Sequence, residues 1–296
     1  MRTHLVNAGR LAVRLAMRPE AVRRPLQAAS RRGYLPGWLW GRLPVEQPFP
    51  VDLPCGVHFL YQPSAYDGIA RHLYWKGAGF WEAETLGVFC RLARHARRVL
   101  DIGANTGTYA LIACAAHPDT RVTAFEPVPS IREQAARSIA LNGFESRCEL
   151  RNDAVSDSCG AARFHVPAGG VPTSSSLHEQ GFRGMEGEHI EVPLTTIDAL
   201  LPPDEQVDLV KIDVEGFEDA VLRGMARVLA DHRPAVVLEC NVDGPVAALE
   251  EIISGLPHRL YHLRPEGPVR VEGFAGDASD EHRNFLLLPP EKEGWL

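Results

Sequence analysis

From Arg97 onward, short unbroken apolar runs alternate with longer stretches in which apolar positions recur every three or four residues. The runs "RRVLDIG", "RVTAFEP" and "CELRNDAVS" read as strands. "TYALIACAA" and "SIREQAARSIALNG" between them read as helices, the second closed by Asn142 and Gly143. A strand without polar alternation is covered on both faces, so the pattern predicts an α/β fold with a parallel sheet and helices on each side. Further on, the short "ARFHVP" and then "IEVPLTTID", "VDLVKIDVEG", "PAVVLEC", "RLYHLR" and "NFLLLP" extend the series, with "FEDAVLRGMARVLADH" as one helix and Pro245 to Gly255 as another; seven of these runs read as principal strands. A polar, Gly-rich insertion at about residues 168–188 is too long for an ordinary connector and reads as a lid or a solvated loop.

The N-terminal part is different in kind. Residues 1–42 hold nine arginines and one acid, Glu20, about +8 in a chain whose net charge is −7, so the remainder carries about −15. An acidic body argues against nucleic acid as the main partner. The basic segment reads as a frayed or ordinary N-terminal helix, or as a basic amphipathic surface making peripheral contact with an anionic membrane or a glycolipid. A Pro- and Gly-rich stretch follows, in which Trp38 and Trp40 are expected to cover the body, and a soft boundary falls near residue 50: a basic extension over 1–50 and a main domain over 51–296. Trp75, Phe80 and Trp81 are expected to be packing residues. No run is long and apolar enough to span a bilayer, and six dispersed cysteines show no zinc spacing, so the expectation is a reduced, cytoplasmic protein.

The turn after the first strand, "VLDIGANTGTY", narrows the ligand. A dinucleotide turn needs glycines where Asn105 and Thr108 stand, and the Gly-Lys-Ser/Thr of a phosphate loop is missing. Gly103 and Gly107 allow a tight turn beneath a ligand without phosphate, with Asn105 between them and Asp101 at the strand end to attract an amine. The second strand ends in Glu126, 23 residues after Gly103, where a carboxylate accepts from both ribose hydroxyls. The third ends near Asp153 and Ala154, suited to an adenine amino group and ring. Three acids at successive strand tips fit S-adenosylmethionine, since open parallel sheets bind ligands there. An NAD(P) oxidoreductase shares the sheet but is opposed by Asn105 and Thr108.

These stretches, together with "GFWEAE", "AFEPVPS", "NDAVSD", "TSSSL", "TTIDAL", "KIDVEGFE" (Lys211 to Glu218), "VLEC" and "NFLLLP", resemble the FkbM family of class I methyltransferases over about residues 75–290. "KIDVEGFE" is the most specific of them. The resemblance implies a Rossmann-like, seven-stranded, mostly parallel sheet of order 3-2-1-4-5-7-6, and O-methylation of a hydroxyl on a sugar, glycolipid or secondary metabolite. N-methylation of a peptide or small metabolite, and a non-catalytic cofactor-binding scaffold, are the alternatives.

Methyl transfer to a hydroxyl needs alignment and a proton acceptor. The fourth strand brings Lys211, Asp213 and Glu215 to its end on one side, so Asp213 is expected nearest the methyl group, with Glu215 or Lys211 binding or deprotonating the acceptor. The alternative for Lys211 and Glu215 is a structural ion pair, and for Glu218 the opening of a helix. Glu82 is expected to close the cofactor site from the N-terminal side. His178 and the hydroxyls from Thr173 to Ser176 are lid candidates. Asp213, Glu239 and Asn241 make an alternative oxygen-ligand trio for Mg²⁺, with metal-free catalysis the expectation.

Overall fold

The computed structural model describes residues 13, 15–64, 67–167, 187–241, 244–274 and 282–296. The lid candidates from Thr173 to His178 lie outside the described residues. In chain order the elements are α1 (Glu20–Arg31), α2 (Gly37–Trp40), the hairpin β1 (Phe49–Asp52) and β2 (His58–Tyr61), α3 (Gly68–Trp75), α4 (Ala83–Ala93), β3 (Arg98–Ile102), α5 (Thr108–Ala116), β4 (Arg121–Phe125) and α6 (Pro129–Leu141). There follow β5 (Cys148–Arg151), β6 (Ala154–Val155), β7 (Gly160–Pro167), β8 (Gly187–Thr195), α7 (Ile197–Leu200), β9 (Leu209–Ile212), α8 (Glu218–Arg223), α9 (Ala226–Asp231), β10 (Ala235–Glu239), α10 (Val246–Ser254), β11 (Arg259–Arg264), β12 (Gly267–Arg270) and β13 (Asn284–Leu288).

The main sheet is mixed and runs β12-β11-β13-β10-β9-β3-β4-β5. The expectation of seven strands in the order 3-2-1-4-5-7-6 is corrected: the described residues form eight, because Gly267–Arg270 turns back antiparallel onto β11 and takes the edge. Its four residues carry little apolar pattern, so no periodicity announced it. Strands β9, β3, β4 and β5 are parallel, and β13 is antiparallel to both β10 and β11. Successive residues of the central strands serve opposite faces. Val99, Val122, Leu209, Val237 and Leu286 pack with α4 and α5, while Leu100, Ile102, Val210, Ile212, Val236 and Leu238 pack with α8, α9 and α10.

Three further departures have local causes. The third expected strand divides, since Ala154–Val155 leaves the main sheet to pair with β8 in a separate sheet of order β6-β8-β7. The expected insertion ends two residues early, because β8 already begins at Gly187 and pairs along the whole of β7. The expected single helix after "VEG" is two, broken at Gly224, where an added Cβ would lie 2.0 Å from the Ser156 carbonyl oxygen. Asn142 and Gly143, the latter at φ 69°, close α6 as expected.

Ahead of the sheet, Trp40 is buried and packs edge-on to His72 at 5.2 Å, but Trp38 is exposed, as is Phe80, against the expectation that they pack. The expectation of six reduced cysteines is also corrected: Cys55, after β1, is bonded to Cys90 of α4, 35 residues on. This bond ties the hairpin to the body in the way oxidising surroundings permit. Cys114, Cys148, Cys159 and Cys240 are free thiols. Among the described residues no helix is long and apolar enough to cross a membrane.

A buried polar network joins the hairpin to the glycine turn. The Tyr61 hydroxyl lies 2.9 Å from Asp67 Oδ2 and 2.6 Å from Thr106 Oγ1, and Asp67 also accepts from the Ala70 N–H and from the Gln134 amide. Burial pushes the Asp67 carboxyl up, against the hydrogen bonds that pull it down. Removing one hydroxyl here strands two buried partners, so Tyr61→Phe is expected to cost about 1–3 kcal/mol in urea unfolding. A change of a few tenths would mean that water replaces the phenol.

Candidate functional site

The cavity at the strand tips is built from four successive connections. After β3 the chain turns at once: Gly103 (φ 79°), Asn105 (φ 49°) and Gly107 (φ 83°) all lie in the left-handed region. At Gly103 an added Cβ would stand 1.8 Å from the Asp213 carbonyl oxygen, so glycine is required by contact between the β3 and β9 loops as well as by its torsion. The turn is fastened by Gly103 and Ala104 N–H groups donating to the Phe125 carbonyl at 3.1 and 2.9 Å. The cavity opens to solvent at its mouth, with about 640 Å³ of space inside and in front of it. Gly103, Asn105, Glu126, Asp153, Ala154, Asp213 and Glu215 line it, with Ile131, Phe164 and Phe217 among its apolar walls.

Glu126 is buried at the end of β4. Its Oε2 accepts from the Asn105 N–H at 3.0 Å and its Oε1 from the Val128 N–H at 2.8 Å, which fixes the carboxylate and leaves further lone pairs toward the cavity. Burial raises its pKa to about 7 despite those bonds. Asp153 is held by Arg151 Nε at 2.8 Å. Glu215, at φ 53°, reaches the cavity because β9 ends at Ile212, beyond which strand alternation no longer governs direction.

Behind the cavity, on the α4 and α5 side of the sheet, lies a buried layer of charge. Asp101 is opposite Lys211 in the β3–β9 register, and Glu239 opposite Asn284 in the β10–β13 register. The Lys211 ammonium is 3.6 Å from Asp213 Oδ2 and 5.2 Å from the Tyr109 ring centre, and donates to the Ile212 carbonyl and Asn284 Oδ1. Tyr109 donates to Glu82 Oε2 at 2.5 Å, and Glu82 itself sits at φ 44° ahead of α4. Desolvation alone would lower the Lys211 pKa, but Asp213, Glu82, Glu239 and Asp101 outweigh it and the pKa ends above the ordinary value. Burial drives Asp101 up to about 7 and pushes Glu82 and Glu239 upward as well, with Lys211 opposing in each case.

Several expected site residues stand off the cavity lining. Asp101 does not line the cavity; its Oδ2 accepts from the Ala110 N–H at 2.9 Å and anchors α5. Gly107 likewise stands outside the lining, against Ala135 of α6, and Glu82 is part of the buried layer. Lys211 is buried and off the cavity lining, and the carboxylates around it hold its pKa above the ordinary value, which makes it their counter-ion. The oxygen trio considered for Mg²⁺ is occupied by cations of the chain, with Lys211 on Asp213 and Arg283 on both Glu239 (3.1 Å) and Asn241 (3.0 Å). Among the described residues no group of three or more His, Cys, Asp or Glu is placed to hold a metal. Glu218 opens α8 and accepts from the Gly216 N–H at 3.1 Å. Tyr109, Arg283 and Asn284 were missed. Tyr109 stands within the glycine-turn motif and Asn284 opens the "NFLLLP" stretch, whereas no local signal marks Arg283.

Residues 101–263 match the family described as the methyltransferase FkbM domain. Methyltransferase sdnD of Sordaria araneosa is 29% identical over 154 residues, 43% of this chain, and the chain spans 60% of that relative's length. Methyltransferase 1 of Beauveria bassiana (strain ARSEF 2860) is 24% identical over 191 residues, 57% of this chain and 74% of its own. Among solved structures, methyltransferase FkbM from Methylobacillus flagellatus KT aligns at 17% identity over 65% of this chain and 43% of its own, with a TM-score of 0.41. A SAM-dependent methyltransferase from Agrobacterium tumefaciens aligns at 14% identity over 83% and 71%, with a TM-score of 0.46. With more than half of its residues inside the matched domain, the chain belongs to the FkbM methyltransferase family.

Proposed function

We propose that this chain is an S-adenosylmethionine-dependent methyltransferase whose acceptor is a hydroxyl oxygen on a small molecule or glycolipid. The observation that carries the reading is the convergence of Glu126, Asp153, Asp213 and Glu215 on one cavity floored by the Gly103–Gly107 turn. The residues suit that cofactor. Glu126, fixed from behind by two N–H groups, presents its remaining lone pairs to a ribose diol, Asp153 and Ala154 face an adenine, and Ile131, Phe164 and Phe217 supply apolar walls. The cavity lining is acidic, with Glu126, Asp153, Asp213 and Glu215 and no Lys or Arg among the described residues that line it. Such a field attracts a sulfonium and an ammonium and repels a pyrophosphate. When bound, the cofactor supplies an electrophilic methyl group. Asp213, at the cavity wall, is placed to hold an acceptor hydroxyl and take its proton, with Glu215 beside it.

The raised carboxyl pKa values give this reading a signature. Burial raises the Glu126 pKa to about 7, so below that pH this carboxyl on the cavity lining holds a proton that a cationic ligand with a ribose diol must displace. Affinity for S-adenosylmethionine is therefore expected to fall as pH drops from 8 to 6, by about tenfold for each proton released. S-adenosylhomocysteine, without the sulfonium charge, should show a shallower slope, and Glu126→Gln should flatten both. Calorimetric titrations across that range test this, and labelled methyl transfer to a panel of sugars, glycolipids and polyketides tests the acceptor. Tight NAD binding with none of either sulfur ligand would end the proposal.

A further inference from the structure

Residues 21–45 and 68–81 contain no Asp or Glu, yet hold Arg23, Arg24, Arg31, Arg32, Arg42, Arg71 and Lys76, in a chain of net charge −7. The fold puts these two segments together. Gln27 Nε2 and Arg31 Nη2 donate to the Tyr74 carbonyl at 3.0 and 3.2 Å, Arg71 Nη1 donates to the Gly41 carbonyl at 3.1 Å, and Lys76 Nζ donates to the Ser30 carbonyl at 3.3 Å. Trp40 and Phe80 meet edge-on at 6.2 Å. The joint surface carries the three most exposed large apolar side chains among the described residues: Tyr34 at 78%, Trp38 at 67% and Phe80 at 57%. Cations flank them, with Arg42 donating to the Trp38 carbonyl at 2.8 Å and the Lys76 ammonium 5.3 Å from the Phe80 ring.

We propose that this face docks on an anionic lipid bilayer, with Tyr34, Trp38 and Phe80 at headgroup depth and Arg31, Arg32, Arg42 and Lys76 against lipid phosphates. Amphipathic aromatics favour that depth, and clustered Arg and Lys supply the attraction to anionic headgroups. Between Arg32 and Arg42 the chain reads "GYLPGWLWG", whose polar side-chain groups are the Tyr34 hydroxyl and the indole N–H groups of Trp38 and Trp40, the amphipathic aromatics of an interface. An apolar tip between arginines suits insertion, whereas a nucleic acid tracks a longer basic groove and would meet the acidic remainder of this chain. Phe80 lies two residues before Glu82, whose carboxylate accepts from Tyr109, so the docked face connects through Glu82 to the charged layer behind the cavity. Resting on the methyltransferase reading, this placement makes an acceptor presented at a lipid surface the natural substrate class.

The test is co-sedimentation of the full chain with vesicles of phosphatidylcholine, alone and mixed with phosphatidylglycerol. Binding is expected to the mixed vesicles only and to weaken with salt. Trp38→Ala with Phe80→Ala, and separately Arg32→Glu with Arg42→Glu, should each lower partition by about tenfold or more while S-adenosylhomocysteine affinity stays at the parental value. Partition unaffected by either pair, absence of binding to mixed vesicles, or retention on a single-stranded RNA oligonucleotide in place of vesicles would overturn the proposal. Vesicle binding is read without turnover, so its failure is distinct from failure of the cofactor titration.

Discussion

Replacing Asp213 with asparagine is expected to lower turnover by about 10²- to 10⁴-fold while S-adenosylhomocysteine affinity stays within a few-fold of the parent. Of the four carboxylates around Lys211, Asp213 is the one that lines the cavity; Glu82, Asp101 and Glu239 are sealed behind it. Its position is fixed from two sides, by its own N–H donating to the Ile102 carbonyl at 2.9 Å and by the Lys211 ammonium 3.6 Å from its Oδ2. Asparagine keeps the volume and the hydrogen-bonding edge but cannot take a proton. Lys211 retains three carboxylates, so the fold should tolerate the change. Steady-state kinetics on an acceptor found with labelled cofactor separates the outcomes, because a lost base lowers kcat and a lost binding contact raises KM. Turnover within about threefold of the parent would transfer the proton-accepting role to Glu215, the neighbouring carboxylate of the lining.

What was legible in the sequence lies at points where a regular element stops. Glu126, Asp153, Asp213 and Glu215 each stand within three residues of the end of a parallel strand, and a charged residue there has nowhere to face but the crevice. Asp101 and Lys211 stand inside apolar runs, and the structure places both off the cavity lining. A charge within a buried strand was read as turned toward a ligand, whereas the α4 and α5 side of the sheet encloses a complete set of counter-charges. That set draws on Glu82, Tyr109, Glu239 and Asn284, which are far apart in the chain and meet only through sheet order. The short edge strand at Gly267–Arg270 and the break at Gly224 are of the same kind. One depends on a neighbour's free edge and the other on a close approach to Ser156, and neither leaves a periodic trace.

Lys211→Met is expected to cost about 3–5 kcal/mol of folding stability near pH 8, the penalty for leaving buried carboxylates without their cation. Methionine fits the volume of the aliphatic stem, so the loss measures charge and not a cavity. The pH dependence identifies the cause. In the parent, carboxyl pKa values raised in the folded state mean that native Asp101 and Glu239 bind protons that the unfolded chain has released, so they favour folding at low pH and lose that contribution as pH rises through the folded values. Removing Lys211 raises those folded values further, because its charge opposed burial at Glu82, Asp101 and Glu239 alike. The variant should therefore lie closest to the parent near pH 5.5, where protonation silences the repulsion, and fall away from it toward pH 8. Urea unfolding at both values measures the gap. A difference below about 1 kcal/mol at pH 8, or one that stays constant with pH, would mean that water or Arg283 already neutralises the layer and that Lys211 is dispensable to it.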